Sequence, residues 1–261
     1  MNKHLIAAVC AAAAALSSAP AQSQDTKTLR VALESMYAPF VFYNSKSGEL
    51  EGFEIDLLNY VAKETGHKLD ITNMGFDAII PSLLSGMHDL GGSAFTITEE
   101  RAKRVNFTKP YYLSGLSILI RAQDKDKVKS IKDLEGKAVC AQIGTSGSMR
   151  AADIPGAKVR NFNTINEAYL ELGNRGCLGV VTDRPVTSYF LSTRGKAAKQ
   201  FYHLPATLNT EPFGFVLNKN NPQLLKAVDA AMDKARANGE FTKMYVKWFG
   251  EEPSKELLQV K

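Results

Sequence analysis

The segment TITEERAKR, residues 96–104, places an arginine where helix electrostatics do not favour one. Thr98 has the side chain of a helix N-cap, so Glu99, Glu100 and Arg101 would be the first three helical positions. The start of a helix carries partial positive charge, which suits the glutamates and not the guanidinium. Either Arg101 pairs with Glu100 on the surface, or it binds an anion together with nearby amides, at a dipole cost of only ~0.3–1 kcal/mol.

Further polar, aromatic and small residues follow predicted strands in both halves of the chain: Glu34, Tyr37, Phe76, Ala94, Thr96, Thr145, Ser146 and Asp183. A guanidinium binds a carboxylate through two parallel hydrogen bonds. Thr96 and the backbone amides around Thr145 and Ser146, at a predicted helix start, would add donors for the same anion. These residue types therefore predict a site for a carboxylate.

The remaining strand-end residues suit the other parts of an amino acid. Asp183 and a strand-end carbonyl such as that of Ala94 would accept hydrogen bonds from an ammonium group. Tyr37 and Phe76 could enclose an aliphatic stem. Carboxylate, ammonium and side chain together define an α-amino acid as the expected ligand.

Each of these residues also has an ordinary structural interpretation. Asp183 could cap a helix that begins near Pro185, and the turn GTSGS (144–148) could be a plain strand-to-helix connection. That turn is not a phosphate loop, because it lacks the GK[ST] ending. Tyr37 and Phe76 could be core residues. The functional interpretation depends on all of them lying at strand ends on one side of the molecule.

The elements that would position these residues alternate between strand and helix. Residues 29–33, 69–74 and 89–95 read as strands, separated by helices over 52–66 and 76–87. The pattern restarts near residue 137 with strands and helices up to residue 195, and a strand and two helices follow at the C-terminus. Two such α/β units predict two lobes, and ligands of open parallel sheets bind beyond the carboxyl ends of the strands.

Composition and the N-terminus place the chain among exported proteins. The sequence has 261 residues, 44% of them hydrophobic, and a net charge of +5 spread among interleaved acids, which does not indicate a nucleic-acid partner. A short basic start, an apolar run over 5–16 and small residues at Ala19 and Ala21 predict a signal peptide over residues 1–21. In an oxidising compartment outside the cytoplasm, Cys140 and Cys177 could form a disulfide. No cluster of residues in the sequence has the spacing of metal ligands or of a cofactor-binding loop.

The chain resembles the periplasmic solute-binding proteins of polar amino-acid ABC transporters (family 3), most closely the glutamine-binding type. The resemblance covers nearly all of the mature chain and rests on the stretches GFEIDLLNYVAKE, MGFDAIIPSLLSGMHDL, TITEERAKRVNFTKPYYLSGL, SIKDLEGKAVCAQIGTSGS, INEAYLELG and FTKMYVKWFGEEP. TITEER and KDLEGK are specific only in combination. The resemblance implies a type II periplasmic binding fold, in which two parallel-sheet α/β lobes are joined by two hinge strands. Lobe 1 would comprise residues 25–112 plus 212–261, and lobe 2 residues 113–211.

The resemblance also assigns roles to the strand-end residues. It implies that Arg101, Thr96, Thr145 and Ser146 bind the ligand carboxylate, that Asp183 and the Ala94 carbonyl bind the ammonium, and that Tyr37 and Phe76 clamp the stem. Two positions depart from the glutamine binders, which have aspartate at Glu34 and lysine at Gln142. The resulting excess of negative charge disfavours acidic ligands and leaves glutamine-like or basic amino acids, with glutamine-like preferred.

The expected function is binding without chemistry, by a monomer that closes over its ligand and is read by an inner-membrane permease. Two alternatives stay open. A few dehydratases resemble this fold, and Glu34 in a closed cleft could act as a general acid. A ligand-sensing receptor domain would carry the same binding residues.

Overall fold

The computed structural model describes residues 27–260, so the predicted signal peptide lies outside the described part of the chain. The strands are β1 (Lys27–Leu33), β2 (Met36–Tyr37), β3 (Val41–Tyr43), β4 (Leu50–Glu51), β5 (His67–Asn73), β6 (Leu90–Gly91), β7 (Val105–Phe107), β8 (Tyr112–Ser114), β9 (Leu116–Arg121), β10 (Ala138–Gln142), β11 (Lys158–Phe162), β12 (Gly179–Asp183), β13 (Phe201–His203), β14 (Glu211–Phe213) and β15 (Val216–Asn218).

The α-helices alternate with these strands. They are α1 (Phe53–Thr65), α2 (Phe76–Leu84), α3 (Glu99–Ala102), α4 (Ser146–Ala152), α5 (Ile165–Gly173), α6 (Arg184–Ser192), α7 (Pro222–Ala237), α8 (Glu240–Phe249) and α9 (Lys255–Leu258). Helix α1 shows why the segment folds this way: its apolar residues recur on one buried face, and Gly66 ends it at φ 70°. No helix among residues 27–260 is both long and apolar enough to cross a membrane.

Two five-stranded sheets of matching topology form the two lobes, as the sequence and the resemblance predict. The first has the order β5-β1-β6-β15-β7 and the second β11-β10-β12-β9-β13. The sheets are mostly parallel, with one reversed strand inserted in each. Strand β15 in the first sheet and β9 in the second run against their neighbours, because each follows a hinge crossing and enters its sheet from the opposite end.

Strands β8 and β14 pair antiparallel and form the two crossings between the sheets. Helices α7 and α8 pack on α1. We propose the lobe limits given above, since the first sheet uses strands within residues 27–107 and 216–218, and the second uses strands within 116–203. A disulfide between Cys140 and Cys177 ties β10 to the segment before β12 in the second lobe.

The predicted strand over 89–95 is much shorter than expected. Only Leu90 and Gly91 pair in the sheet, because Ser93 and Ala94 adopt the left-handed backbone conformation at φ 85° and 55°. A small sheet of β2, β3 and β4, which the sequence pattern does not indicate, carries Tyr37.

Candidate functional site

The ten residues singled out from the sequence are all buried, each less than a tenth exposed: Glu34, Tyr37, Phe76, Ala94, Thr96, Arg101, Gln142, Thr145, Ser146 and Asp183. Contacts across the cleft bring the two sets together. The Tyr37 hydroxyl contacts Asp183, and the Thr96 hydroxyl lies 3.2 Å from that of Ser146. The residues therefore form one buried cluster between the lobes.

Arg101 does not make the surface ion pair that its neighbours in sequence would allow. Its backbone amide donates to the Thr98 hydroxyl at 3.2 Å, so Thr98 is the N-cap, as predicted. The guanidinium is buried: Nη1 donates to the Thr96 carbonyl at 2.8 Å and Nη2 to the Gly144 carbonyl, in the second lobe, at 2.9 Å. No ion pair joins it to a carboxylate within residues 27–260. Three of its five N–H donors have no bond among these residues and are available to an anion.

Aromatic rings cover the guanidinium of Arg101. Its Cζ lies 5.6 Å from the ring centroid of Phe76 and 5.1 Å from that of Phe95. These two rings stack on each other at 4.2 Å. Burial lowers the pKa of Arg101, and the negative charges of Glu211 and Asp183 oppose that lowering. Since the pKa of arginine is far above neutral to begin with, the guanidinium remains cationic at neutral pH.

The turn that carries Ala94 and Thr96 is held by a buried carboxylate, Glu54. Its oxygens accept hydrogen bonds from the backbone amides of Ser93 and Ala94, both at 2.6 Å, and from the Tyr111 hydroxyl at 2.5 Å. Left-handed backbone at non-glycine residues costs roughly 1–3 kcal/mol each, so it persists only where the surroundings enforce it. Glu54 supplies that enforcement at the edge of the site.

Asp183 stands at the start of α6, but its side chain makes no capping bond. Instead it accepts hydrogen bonds from Tyr37 across the cleft and from the Ser114 hydroxyl at 2.9 Å. Burial and the nearby charge of Glu211 raise the pKa of Asp183 to about 7, against the lowering effects of its two donors and Arg101. The Tyr37 hydroxyl thus positions the carboxyl group of Asp183 from across the cleft.

The second lobe contributes the turn before α4. Gly144 sits at φ 75°, and Thr145 caps α4 by accepting from the Ser148 amide at 3.1 Å. The Thr145 hydroxyl donates to the Gln142 carbonyl at 2.7 Å, so it has no proton left to donate to a ligand, whereas a backbone amide of the turn can still do so.

Glu34 and Gln142 meet at another side of the cluster. Glu34 Oε1 accepts from the Met36 amide at 3.0 Å, and Gln142 Nε2 donates to the Asn163 carbonyl at 3.0 Å. The second carboxylate oxygen of Glu34, Oε2, and the amide oxygen of Gln142, Oε1, are buried and have no hydrogen-bond partner among the described residues. Burial raises the pKa of Glu34 to about 7, although the Gln142 side chain and the Met36 amide lower it. Both oxygens are acceptors that a ligand with hydrogen-bond donors could bind.

Sequence reasoning misses Glu211 on β14, the acid that lies at the centre of the cluster, as well as Ser114 and Phe95. The Glu211 carboxylate is buried and accepts hydrogen bonds from Thr96 at 2.8 Å, from Ser146 at 2.6 Å and from Asn209 at 2.8 Å. The sequence identifies the segment NTEPFGF only as a hinge crossing. Glu211 is the single acid of that otherwise mostly apolar segment, and this is the one feature of the sequence that could have marked it as a site residue. Its place at the cleft depends on the pairing of β14 with β8, which the sequence pattern does not show.

Among the described residues, no group of three or more His, Cys, Asp or Glu side chains could hold a metal ion. The sheets and their two crossings define a two-lobed fold, and the buried cluster draws its residues from both lobes and from a hinge strand.

The chain belongs to the bacterial extracellular solute-binding proteins, family 3, whose pattern matches residues 29–251. It is similar to a "Probable histidine-binding protein" of Neisseria gonorrhoeae, with 30% identity over 97% of each chain. It is similar to the "ABC transporter glutamine-binding protein GlnH" of Bacillus subtilis, with 30% identity over 82% of this chain and 78% of that one.

Among solved structures, it resembles the arginine-, lysine-, histidine-binding protein ArtJ of Geobacillus stearothermophilus, with a TM-score of 0.82 and 31% identity over 89% of this chain and 100% of that one. Family membership confirms the prediction of a solute-binding protein rather than an enzyme. The relatives differ in the amino acid they are named for, so they do not select among the ligands.

Proposed function

We propose that this protein binds a polar L-amino acid between its lobes and delivers it to the permease of an ABC transporter. The observation that carries the proposal is the buried cluster in which Arg101, with three free donors, and Asp183 lie at one interlobe site. A carboxylate would bind to the guanidinium, and an ammonium to the acid.

The side-chain end of the site favours a ligand rich in hydrogen-bond donors. Glu34 Oε2 and Gln142 Oε1 are both acceptors without a partner among residues 27–260, so an amide, imidazole, ammonium or guanidinium group would satisfy them. An acidic side chain would add a third acceptor and a repulsive charge. Glutamate and aspartate are therefore excluded from the proposed ligands.

Charge balance favours a basic ligand over glutamine. Sequence reasoning counts two acids against one arginine, which leaves neutral polar or basic ligands, and the resemblance to glutamine-binding proteins then favours a glutamine-like one. Glu211 adds a third buried carboxyl group to the cluster. A zwitterion leaves the excess of negative charge unchanged, whereas arginine, lysine or protonated histidine reduces it by one, which matters in a site shielded from water. Glutamine is the second candidate, since its amide also satisfies both acceptors.

Cleft closure is the proposed mechanism. Bonds such as Arg101 to Gly144 and Tyr37 to Asp183 join the lobes only when the cleft is closed. A ligand that contacts both lobes binds this state better and shifts the population towards it. The protein would act as a monomer in the periplasm after removal of residues 1–21, and the permease would bind the closed surface.

Calorimetric titration with L-arginine, L-lysine, L-histidine, L-glutamine and L-glutamate tests the proposal. We expect binding of at least one basic amino acid, weaker binding of glutamine and none of glutamate. Glu34→Gln should reduce the preference for the basic ligand over glutamine. Preferred binding of glutamate, or no binding of any of the five, would overturn the proposed function.

Closure can be followed in the same titration by intrinsic fluorescence. Trp248 is the only tryptophan of the chain, and its ring centroid lies 5.7 Å from that of Phe42. The ring centroid of Phe42 in turn lies 5.5 Å from that of Tyr189 in the second lobe. A ligand that closes the cleft should therefore change the Trp248 emission. Phe42→Leu should reduce that change.

A further inference from the structure

Glu211 connects three parts of the molecule through one carboxylate. It lies on hinge strand β14, and its Oε2 accepts from the hydroxyl of Thr96 in the first lobe at 2.8 Å and from that of Ser146 in the second lobe at 2.6 Å. Its Oε1 accepts from Asn209 Nδ2 at 2.8 Å. Asn209 is held in turn, since its own side-chain oxygen accepts from the Leu116 amide at 2.9 Å.

Counting protons shows what this does to the two hydroxyl groups. Each hydroxyl has one proton to donate and two lone pairs, whereas an ionised carboxylate only accepts. When Thr96 and Ser146 both donate to Glu211, neither has a proton left for the other, although their oxygens lie 3.2 Å apart. Both hydroxyls then offer only lone pairs to a ligand.

We propose that Glu211 is a specificity-determining residue that makes the hydroxyls of Thr96 and Ser146 acceptors, so that they bind the ligand's ammonium group and not its carboxylate. This changes the role expected for Thr96 and Ser146, which the resemblance assigns to the carboxylate. The carboxylate is then bound by Arg101 and backbone amides, and the ammonium by Asp183, the two hydroxyls and the negative charge of Glu211. The inference rests on the proposed function.

The arrangement also explains the position of Glu211 beside Asp183. The two carboxyl groups are close enough for the charge of Glu211 to be the second-largest cause of the raised pKa of Asp183. Neighbouring carboxylates repel each other unless a cation lies between or beside them. A ligand ammonium bound to Asp183 and to the two hydroxyls, beside Glu211, would relieve that repulsion, whereas a ligand carboxylate at the same place would increase it.

The test compares an amino acid with its analogue that lacks the amino group. The probes are L-arginine and 5-guanidinopentanoate, which has the same carboxylate and guanidinium, and the second pair is L-glutamine and glutaramate. Affinities are measured by calorimetry for the wild type, for Glu211→Gln and for the exposed control Glu252→Gln. Circular dichroism and urea unfolding establish that each variant is folded.

We expect Glu211→Gln to lower the affinity for L-arginine roughly 10- to 100-fold, because the charge that assists binding of the ammonium group is lost. The affinity for 5-guanidinopentanoate should change less than about threefold. Glu252→Gln should change neither. Should Glu211→Gln not fold, Ser146→Ala serves instead, because it removes one acceptor and should likewise weaken only the ligand that has an ammonium group.

Equal weakening of both members of a pair would overturn the inference, since it would mean that Glu211 or Ser146 acts on folding or closure alone. Tighter binding of L-arginine by Glu211→Gln would overturn it too, since Glu211 would then repel the ligand carboxylate. These failures appear only in the variants. If the wild type bound neither amino acid, the proposed function would fall first and the inference with it.

Discussion

The first lobe reaches the cleft on a turn whose backbone is unfavourable, whereas the second reaches it on an ordinary strand-to-helix connection. In the first, Ser93 and Ala94 adopt positive φ without being glycine, and the buried carboxylate of Glu54 holds both amides. In the second, the residue at positive φ is Gly144, and a threonine hydroxyl caps the helix that follows. One lobe stabilises its turn with a buried network, and the other with glycine and a local cap.

This difference indicates which lobe is the prepared half of the site. The first-lobe turn has few alternative conformations while Glu54 is in place, so it presents Thr96 and Arg101 in one geometry. The second-lobe turn is held by its own cap, by bonds to strand β11 and the residue after it, such as that from the Ile143 amide to the Phe162 carbonyl at 2.9 Å, and by contacts that form when the cleft closes. We therefore expect the first lobe to bind the ligand first and the second to complete the site.

The largest expected effect comes from removing the carboxylate of Glu54, which tests whether the first-lobe turn depends on it. Glu54→Gln replaces an acceptor oxygen by an NH₂ group, so at least one buried donor among Ser93, Ala94 and Tyr111 loses its partner. We expect the free energy of unfolding to fall by about 2–4 kcal/mol, measured by urea unfolding.

The exposed Glu49→Gln is the matched control and should change the stability by less than about 0.5 kcal/mol. The ligand affinity of Glu54→Gln should also fall, because Ala94 and Thr96 lose their fixed position. A variant as stable as the wild type would show that the first-lobe turn does not need the buried carboxylate.

The next largest effect concerns the residue that joins the two turns. Arg101 belongs to the first lobe but donates to the Gly144 carbonyl of the second. Arg101→Ala should weaken amino-acid binding by about 1.5–3 kcal/mol, roughly 10- to 150-fold, because a charge-assisted bond to the ligand carboxylate is lost. Calorimetry measures this, and the exposed Arg104→Ala is the control. Unchanged affinity in Arg101→Ala would contradict the site assignment.

How much of this could be predicted from the sequence differs between the two turns. Thr98 as a cap and the strand-end positions follow from local patterns, because periodicity and capping act within a few residues. The local pattern around Arg101 leaves open a surface ion pair with Glu100, and only the other strand-end residues and the resemblance point to a buried cation. The strain at Ser93 and Ala94 does not follow from local patterns, since nothing in GGSAF requires positive φ. It results from Glu54, about forty residues away in sequence, whose pattern position predicts only a place on helix α1.

Glu211 marks the same limit in the cleft. Local reasoning finds residues that end strands, whereas Glu211 lies within a hinge strand and reaches the site only because β14 pairs with β8. The reversed strands β15 and β9 escape prediction for a related reason. Strand direction depends on where the chain crosses between lobes, and no period of two or 3.6 residues encodes that.

A titration against pH sharpens the comparison, because each lobe contributes one carboxyl group with a pKa raised to about 7: Glu34 in the first and Asp183 in the second. In the free protein these groups bind protons more tightly than in the unfolded chain, where their pKa values are 4.5 and 3.8. They therefore make stability fall as the pH rises from about 4 to about 7.

Ligand binding has the opposite dependence on pH. A basic amino acid needs Glu34 and Asp183 ionised, so below pH 7 it must displace protons, and its affinity should fall by up to about tenfold per pH unit for each proton. Glutamine needs only Asp183 ionised and should show a shallower slope. Calorimetry at pH 6, 7 and 8 measures both slopes, and Glu34→Gln should make them equal. If the affinities of the two ligands had the same pH dependence in the wild type, Glu34 would not be in contact with the ligand's side chain.

The smallest expected effect tests the second-lobe turn. Thr145→Ala removes the hydroxyl that accepts from the Ser148 amide and donates to the Gln142 carbonyl. The free energy of unfolding should fall by about 1 kcal/mol, as for other lost helix caps. Asn221→Ala, which removes the cap of α7 from the Leu224 amide, should have a similar effect on stability and none on binding.

Because the Thr145 hydroxyl already donates its proton within its own turn, amino-acid affinity in Thr145→Ala should change by less than about threefold. A tenfold or greater loss, compared with Asn221→Ala, would instead make this hydroxyl a direct ligand donor. The Thr145 hydroxyl would then have to exchange its bond to the Gln142 carbonyl for a bond to the ligand when the cleft closes. In that case the second lobe would contribute a side-chain donor to ligand recognition, as the first lobe does with Arg101.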